Sequence, residues 1–423
     1  MTSNSINYQH PTGARRVFFL VVIMIFWFVI SFVTNILGPL IPDIINSFSL
    51  SKLTLAGFIP TSFFLAYAVM SIPAGLMIEK WGEKTVLFLG FFMNLVGSLL
   101  FAFLHTYPVL LASCFIIGLG MAMLQTVINP LQRAVGGEEN YAFVGDMSQV
   151  VFSGASFVSP LVYTYYVANP MSFAPEGMPW VSLYYLFGAI LVAMLVLVLI
   201  CRFPKIDLKA DEKSGGKASY FELFKERKVW LFALGIFFYV STEQGIANNI
   251  SLFLERYHGL DPHTLGASAV AWFWGSMLIG CIVGLLLLKL IDSKILLRIC
   301  GTLAIILLAV ALTTKNANVA LYCLPCVGFA MSLMYPIIFS LALNSVTRHH
   351  GSFAGILCTA IVGGAAGPLF VSLLSDATHS LRTGMCLIFV FVLYILLIGF
   401  WAKPIVKNKL ISSKKSAASQ NSK

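Results

Sequence analysis

Hydrophobic and polar positions alternate along this chain on a coarse scale: long apolar runs joined by short polar links. Twelve such runs cover 17–41, 54–78, 85–105, 107–133, 141–168, 180–201, 229–254, 265–290, 294–313, 317–344, 352–375 and 381–402. A helix needs about 20 mostly apolar residues to cross a bilayer, and it satisfies its own backbone hydrogen bonds in lipid. The pattern therefore predicts an all-α integral membrane protein with twelve transmembrane helices and no sizeable soluble domain. The first run follows Arg15 and Arg16. It is longer than a signal-peptide core and has no small-residue cleavage site, so it is expected to be retained.

One long polar segment, Arg202 to Lys228, interrupts the series after the sixth run. The expected organisation is an N-terminal six-helix bundle (1–201), a cytoplasmic linker (202–228), a C-terminal six-helix bundle (229–402) and a basic tail (403–423). Phe221–Phe224 in the linker has the composition of a short interfacial helix. The halves also echo each other. Run four carries Ile128-Asn129-Pro130-Leu131 and run ten Met334-Tyr335-Pro336-Ile337; run five has Ser159-Pro160-Leu161 and run eleven Gly367-Pro368-Leu369. The proline spacings, 30 and 32 residues, fall in the register of a six-helix repeat. Two pseudo-symmetric bundles around a midplane site are a transporter architecture.

Composition agrees: 59% of residues are hydrophobic and 10% charged. The formal charge of +10 would suit nucleic acid if it were clustered on a soluble face. Instead, with the N-terminus inside, all Lys and Arg except Lys52, Arg256, Lys315 and Arg382 fall on cytoplasmic segments. That bias orients the chain, puts both termini in the cytoplasm and argues against a nucleic-acid partner. The eight cysteines are scattered, and Cys323-x-x-Cys326 lies inside an apolar run without nearby histidines; packing is the expected role, and no metal or cofactor is expected. His258, His263, His349 and His350 sit in links, where a solvated role is expected.

The link between runs two and three reads Gly75-Leu76-Met77-Ile78-Glu79-Lys80-Trp81-Gly82-Glu83-Lys84. It resembles the G-x-L-x-D-R-x-G-R-K loop of the major facilitator superfamily, with Glu79 for the usual Asp, Lys80 for Arg and Glu83 for an expected base. The resemblance implies a conformational gating role for Gly75, Glu79, Lys80 and Gly82. Further stretches resemble the fucose/glucose/galactose permease branch: Met334–Leu343 and Gly351–Pro368, the Y-V-x-x-E segment Tyr239–Ile246, Asn129-Pro130, Gln149 with Pro160, and Trp274-Gly275 with Met277 and Gly280. Three positions depart. The branch has an acidic residue near Pro39, read here as Gly38; a glutamate where this chain has Gln125; and an asparagine where it has Phe152.

Polar residues within membrane runs usually face a bundle interior or a wet cavity. Gln125, Asn129 and Gln132 share one helical face, as do Asp146, Gln149, Ser153 and Ser156, and also Gln244, Asn248 and Ser251, with Glu243 at the margin. Amides that donate and accept suit a many-hydroxyl ligand such as a sugar; interhelical bonding is the competing use. Glu243, midway along its run without a charged neighbour at helical spacing, is a candidate proton carrier or cation ligand. Trp274 is either a platform for a sugar face or, like Trp272, an interfacial anchor. The candidate substrate site is thus Gln125, Asn129, Gln149, Glu243, Gln244, Asn248 and Trp274, with Glu243 also the candidate for cation coupling. The resemblance implies a bacterial inner-membrane carrier, monomeric and not an enzyme. It would move a monosaccharide with H⁺ or Na⁺ by alternating access; the departures leave open a non-sugar cargo.

Overall fold

The computed structural model describes residues 13–136, 141–201, 221–346 and 350–404. Within them twelve helical crossings are long and apolar enough to span a membrane. The first six are α1 (Gly13–Thr34 and Leu37–Ser47), α2 (Leu53–Trp81), α3 (Glu83–Phe103), α4 (Tyr107–Gly136), α5 (Tyr141–Ala168) and α6 (Ser182–Ile200). The second six are α7 (Arg227–Ala247, extended by Ile250–His258), α8 (Ala267–Leu290), α9 (Ser293–Thr313), α10 (Ala317–Met331 and Met334–Leu343), α11 (His350–Thr359 and Gly363–Thr378) and α12 (Leu381–Trp401).

The breaks have causes in the sequence. Pro39 and Pro336 each stand third in the second segment of their crossing, α1 and α10. Proline has no N–H to return to the carbonyl four residues earlier and its ring crowds that carbonyl, so Asn35 and Ser332 mark the interruptions. Within α11 a 3₁₀ turn, Ala360–Val362, precedes Gly363 and Gly364. Of the linker, 202–220 lies outside the described residues, as does 405–423 of the tail. At 221–224 the chain is helical, with Phe221 and Phe224 exposed and Leu223 buried. Trp230 stacks on Phe224 and donates its indole N–H to the Phe224 carbonyl at 2.9 Å.

Large apolar side chains cover the outside, among them Phe18, Val21, Phe103, Ile200, Leu286 and Phe400. In lipid such exposure costs nothing, and helices associate instead through close packing and interhelical hydrogen bonds. The two halves use the same device. A Cβ on Gly118 in α4 would overlap the Phe63 carbonyl of α2, and one on Gly328 in α10 would overlap the Phe273 carbonyl of α8. These pairs are equivalent under a six-helix repeat. Between the halves, α2 lies along α11 and α5 along α8.

The crossings alternate in direction, so the α1–α2, α5–α6, α7–α8 and α11–α12 links share the end remote from the termini, here called distal. The α2–α3 link is at the opposite end. There Gly82 adopts φ +79°, ψ 164°, which only glycine tolerates, and lets α3 start at once. Lys84 reaches across to the Leu199 carbonyl at 2.7 Å, a cation at the carbonyl end of α6.

Candidate functional site

The halves are joined at the distal end by polar contacts that follow from helix ends and breaks. Asp376, near the end of α11, accepts from the Leu53 N–H (2.9 Å), the Thr54 N–H (2.7 Å) and the Thr54 hydroxyl. It supplies the cap that α2 lacks on its own, since Lys52 has no capping oxygen. On the other flank, Tyr163 of α5 donates to Asp43 of α1 at 2.8 Å, and both meet His263 just before α8. Deeper in, the α1 break places Asn35 where its amide donates to Ser156 of α5 (2.8 Å), and its carbonyl oxygen accepts from Gln244 of α7 at 3.5 Å. Gln244 in turn accepts from Asn248 at 3.2 Å. Gly38 sits against the Ala247 carbonyl with no room for a Cβ.

Below this seam lie polar side chains that are only partly buried. Gln125 of α4 donates to the Tyr67 hydroxyl of α2 at 3.0 Å and retains partial exposure amid the buried residues Met123, Leu124 and Val127. Gln149 is nine residues from the lipid-exposed Val158, and Glu243 nine from the lipid-exposed Leu234. At 100° per residue nine positions are half a revolution, so both polar groups point into the bundle, where both keep partial exposure. Tyr239, one turn before Glu243, lies beside it on the same face of α7 and packs on Tyr335 with ring centres 5.6 Å apart. Trp27 and Phe152 meet edge to face at 6.1 Å. Amides, hydroxyls, one carboxylate and aromatic faces turned toward the bundle interior are groups that can bind a polar, ring-shaped solute.

Several expectations need correction. Trp274 is fully buried, with its indole N–H unpartnered among the described residues. Trp272, 200° away around α8, points outward at 54% exposure and turns Trp274 into the core, so Trp274 offers no face to a ligand in this conformation. Gln244 and Asn248 are buried members of the seam, and Asn248 also lines a small cavity between the halves with Pro60, Asn249 and Ser372. Gln132 likewise closes a local network, accepting from Trp27 and from Ser148, each at 2.9 Å. His263 is no free loop residue, being clasped by Asp43 and Tyr163. The side chains of Glu79, Asn129 and Asp146 lie outside the described residues. Gly75 lies in α2 with nothing near its Cβ position, and Lys80 sits 6.0 Å over the Trp81 ring. The sequence reading missed Asn35, Tyr67, Asp43 and Asp376. A lone amide immediately before Ile36-Leu37-Gly38-Pro39 was the available signal for Asn35; nothing local marked the others.

Comparison with known proteins agrees with this architecture. The chain is 29% identical over 386 residues to a glucose/galactose transporter of Brucella abortus, covering 89% of this chain and 92% of the relative. It is 26% identical over 384 residues to the L-fucose-proton symporter of Escherichia coli, covering 82% and 85%. The solved structure of the E. coli fucose:proton symporter superposes with a TM-score of 0.68 at 21% identity, over 92% of this chain and 99% of that one. The family model described as Major Facilitator Superfamily matches residues 23–368. With its paired six-helix halves and this match over most of its length, the chain belongs to the Major Facilitator Superfamily.

Proposed function

We propose that this protein carries a monosaccharide, a hexose or deoxyhexose, across the bacterial inner membrane by alternating access, as a monomer with both termini in the cytoplasm. The observation that carries this reading is the placement of Gln125, Gln149 and Glu243. All three face the bundle interior with partial exposure, beneath a distal end held shut by contacts between the halves. Neutral amides from α4 and α5 supply donors and acceptors for sugar hydroxyls, and the Trp27, Phe152 and Tyr335 rings supply apolar faces. The names of the relatives, a glucose/galactose transporter and an L-fucose-proton symporter, support a sugar cargo. Glu243, an intramembrane carboxylate one turn from Tyr239, is the group we assign to coupling sugar movement to H⁺ or Na⁺.

Asp43, Asp376 and the seam amides belong to the distal closure in this reading, and the α2–α3 link with Gly75, Glu79, Lys80 and Gly82 to the opposite gate. A rocking motion that opens one end must break contacts at the other.

The test is counterflow with a panel of labelled hexoses, deoxyhexoses and non-sugar polar solutes in proteoliposomes. Saturable exchange of at least one hexose or deoxyhexose is expected. One feature favours a second reading: Phe152 is an apolar ring, partly buried beside Trp27, where the permease branch has an amide. If no sugar exchanges while another solute does, the cargo is that solute and the sugar assignment fails.

A further inference from the structure

The contact between Asp43, Tyr163 and His263 is short of one proton. Tyr163 OH lies 2.8 Å from Asp43 Oδ2 and 3.0 Å from His263 Nδ1, and His263 Nε2 lies 3.5 Å from Asp43 Oδ1. That makes three polar contacts. With Asp43 ionised and the ring neutral, the trio owns two mobile protons, the phenol's and the imidazole's. If the phenol donates to Asp43, Nδ1–H must donate to the phenol oxygen, and Nε2 presents a lone pair to a carboxylate. If Nε2–H points at Asp43 instead, Nδ1 can be satisfied only by taking the phenol proton away from Asp43. One more proton, on the ring or on the carboxyl, fills all three contacts at once.

Residues around the trio favour that proton. Asp261, two residues before His263, is held below the usual carboxylate range chiefly by the Thr264 hydroxyl, so it stays anionic beside the ring. Glu255 on the α7 extension also acts on His263 electrostatically; burial pushes its carboxyl up, opposed chiefly by the Arg256 charge. Two acidic groups besides Asp43 therefore act on His263, with Arg256 the opposing charge beside Glu255. The imidazole is 38% exposed, open to solvent at this end, whereas Asp43 is 13% exposed.

Asp43 and Tyr163 belong to the first half, His263 to the second, and Thr164 fixes the His263 backbone carbonyl at 2.8 Å. The trio exists only while the distal end is shut. We infer that Asp43, Tyr163 and His263 form a proton-binding site assembled by distal closure, separate from Glu243, so that taking up one proton at this end holds the halves together there. By linkage, whatever binds the closed state more tightly shifts the population toward it; acid closes this end and alkali releases it.

This inference rests on alternating access, and one experiment separates the two. Spin labels at Asn169→Cys and Thr378→Cys, both exposed at the distal end, report its opening, with the exposed Cys326 and Cys386 replaced by serine. In the otherwise wild-type protein the closed-to-open ratio should rise about tenfold from pH 8 to pH 5.5, the ratio given by one pH unit of proton linkage. His263→Gln should leave the ratio flat with pH, and His263→Arg, permanently charged, should leave it flat and high. Either variant alone decides the point. Two distance populations that ignore pH, or a His263→Gln protein that still responds, overturn the proton site and leave alternating access standing. A single unchanging distance in every protein overturns both.

Discussion

Asn35 of α1 and Gln244 of α7 face each other at 3.5 Å across the boundary between the two halves. Each is anchored within its own half, Asn35 to Ser156 and Gln244 to Asn248. An interhelical hydrogen bond in a membrane protein contributes on average about 0.6 kcal/mol, a ratio of about three between two states. Asn35→Ala should therefore move the distal equilibrium toward open by about threefold, seen as faster alkylation of a Leu369→Cys probe in α11. Unchanged alkylation would mean that the pair does not hold the seam.

Asp376 should matter more. It caps the first turn of α2 from the opposite half through two backbone N–H groups and the Thr54 hydroxyl. Loss of a helix cap typically costs about 1 kcal/mol. Asp376→Ala should favour the open distal end by about fivefold in the same alkylation assay, with Asp376→Asn in between because it keeps one acceptor oxygen.

Glu243 separates coupling from passage. Glu243→Gln keeps the size and a polar head group while removing the charge. Uptake measured with pH and sodium gradients imposed separately should lose accumulation above equilibrium, while sugar counterflow continues. Accumulation equal to that of the wild type would assign coupling elsewhere.

Gly118 and Gly328 should respond alike. Valine at either site forces a methyl-bearing carbon onto a neighbouring carbonyl, and overpacking of this kind typically costs about 1–3 kcal/mol. Thermal unfolding in detergent should show a lowered Tm for both variants. Gly154→Val, where nothing lies within 4 Å of the added carbon, should leave Tm unchanged.

Asp261 fixes the sign of one pH effect. Its carboxyl is held below the usual range by Thr264, so its contribution is complete above the unfolded value of about 4 and is lost only as pH falls through the still lower folded value. Between pH 5 and 8 it does not titrate. Asp261→Asn should move the pH dependence of distal closure to lower pH, because an anion that favours the trio's proton is lost, while closure stays pH-dependent. A flattened profile would make Asp261, not the trio, the sensor.

Much of this was legible in the chain. Twelve apolar runs, the polar break after Cys201 and the paired prolines prescribe the crossings, because hydropathy and proline chemistry act locally. Interior placement of Gln125, Gln149 and Glu243 also follows from helical spacing. What was hidden depends on approach between distant segments. Asp43 and Asp376 look like ordinary residues near helix ends until α5, α8 and α2 arrive beside them. Trp274 was misread because its neighbour Trp272, not its own spacing, decides which way α8 turns. Gln244 and Asn248 share a polar face as expected, but the Asn35 break in α1 closes over it.

The backbone contacts at Gly118 and Gly328 bear on how the molecule can move. Where main chain rests on main chain, no side-chain rotation can loosen the joint, and a shift of even a small fraction of a helix turn would collide or leave a gap. Each set of six helices is thereby pinned near its middle like a pair of crossed beams. Displacement is left to the hydrogen-bonded boundary between the sets, where amides, carboxylates and an imidazole can exchange one partner for another.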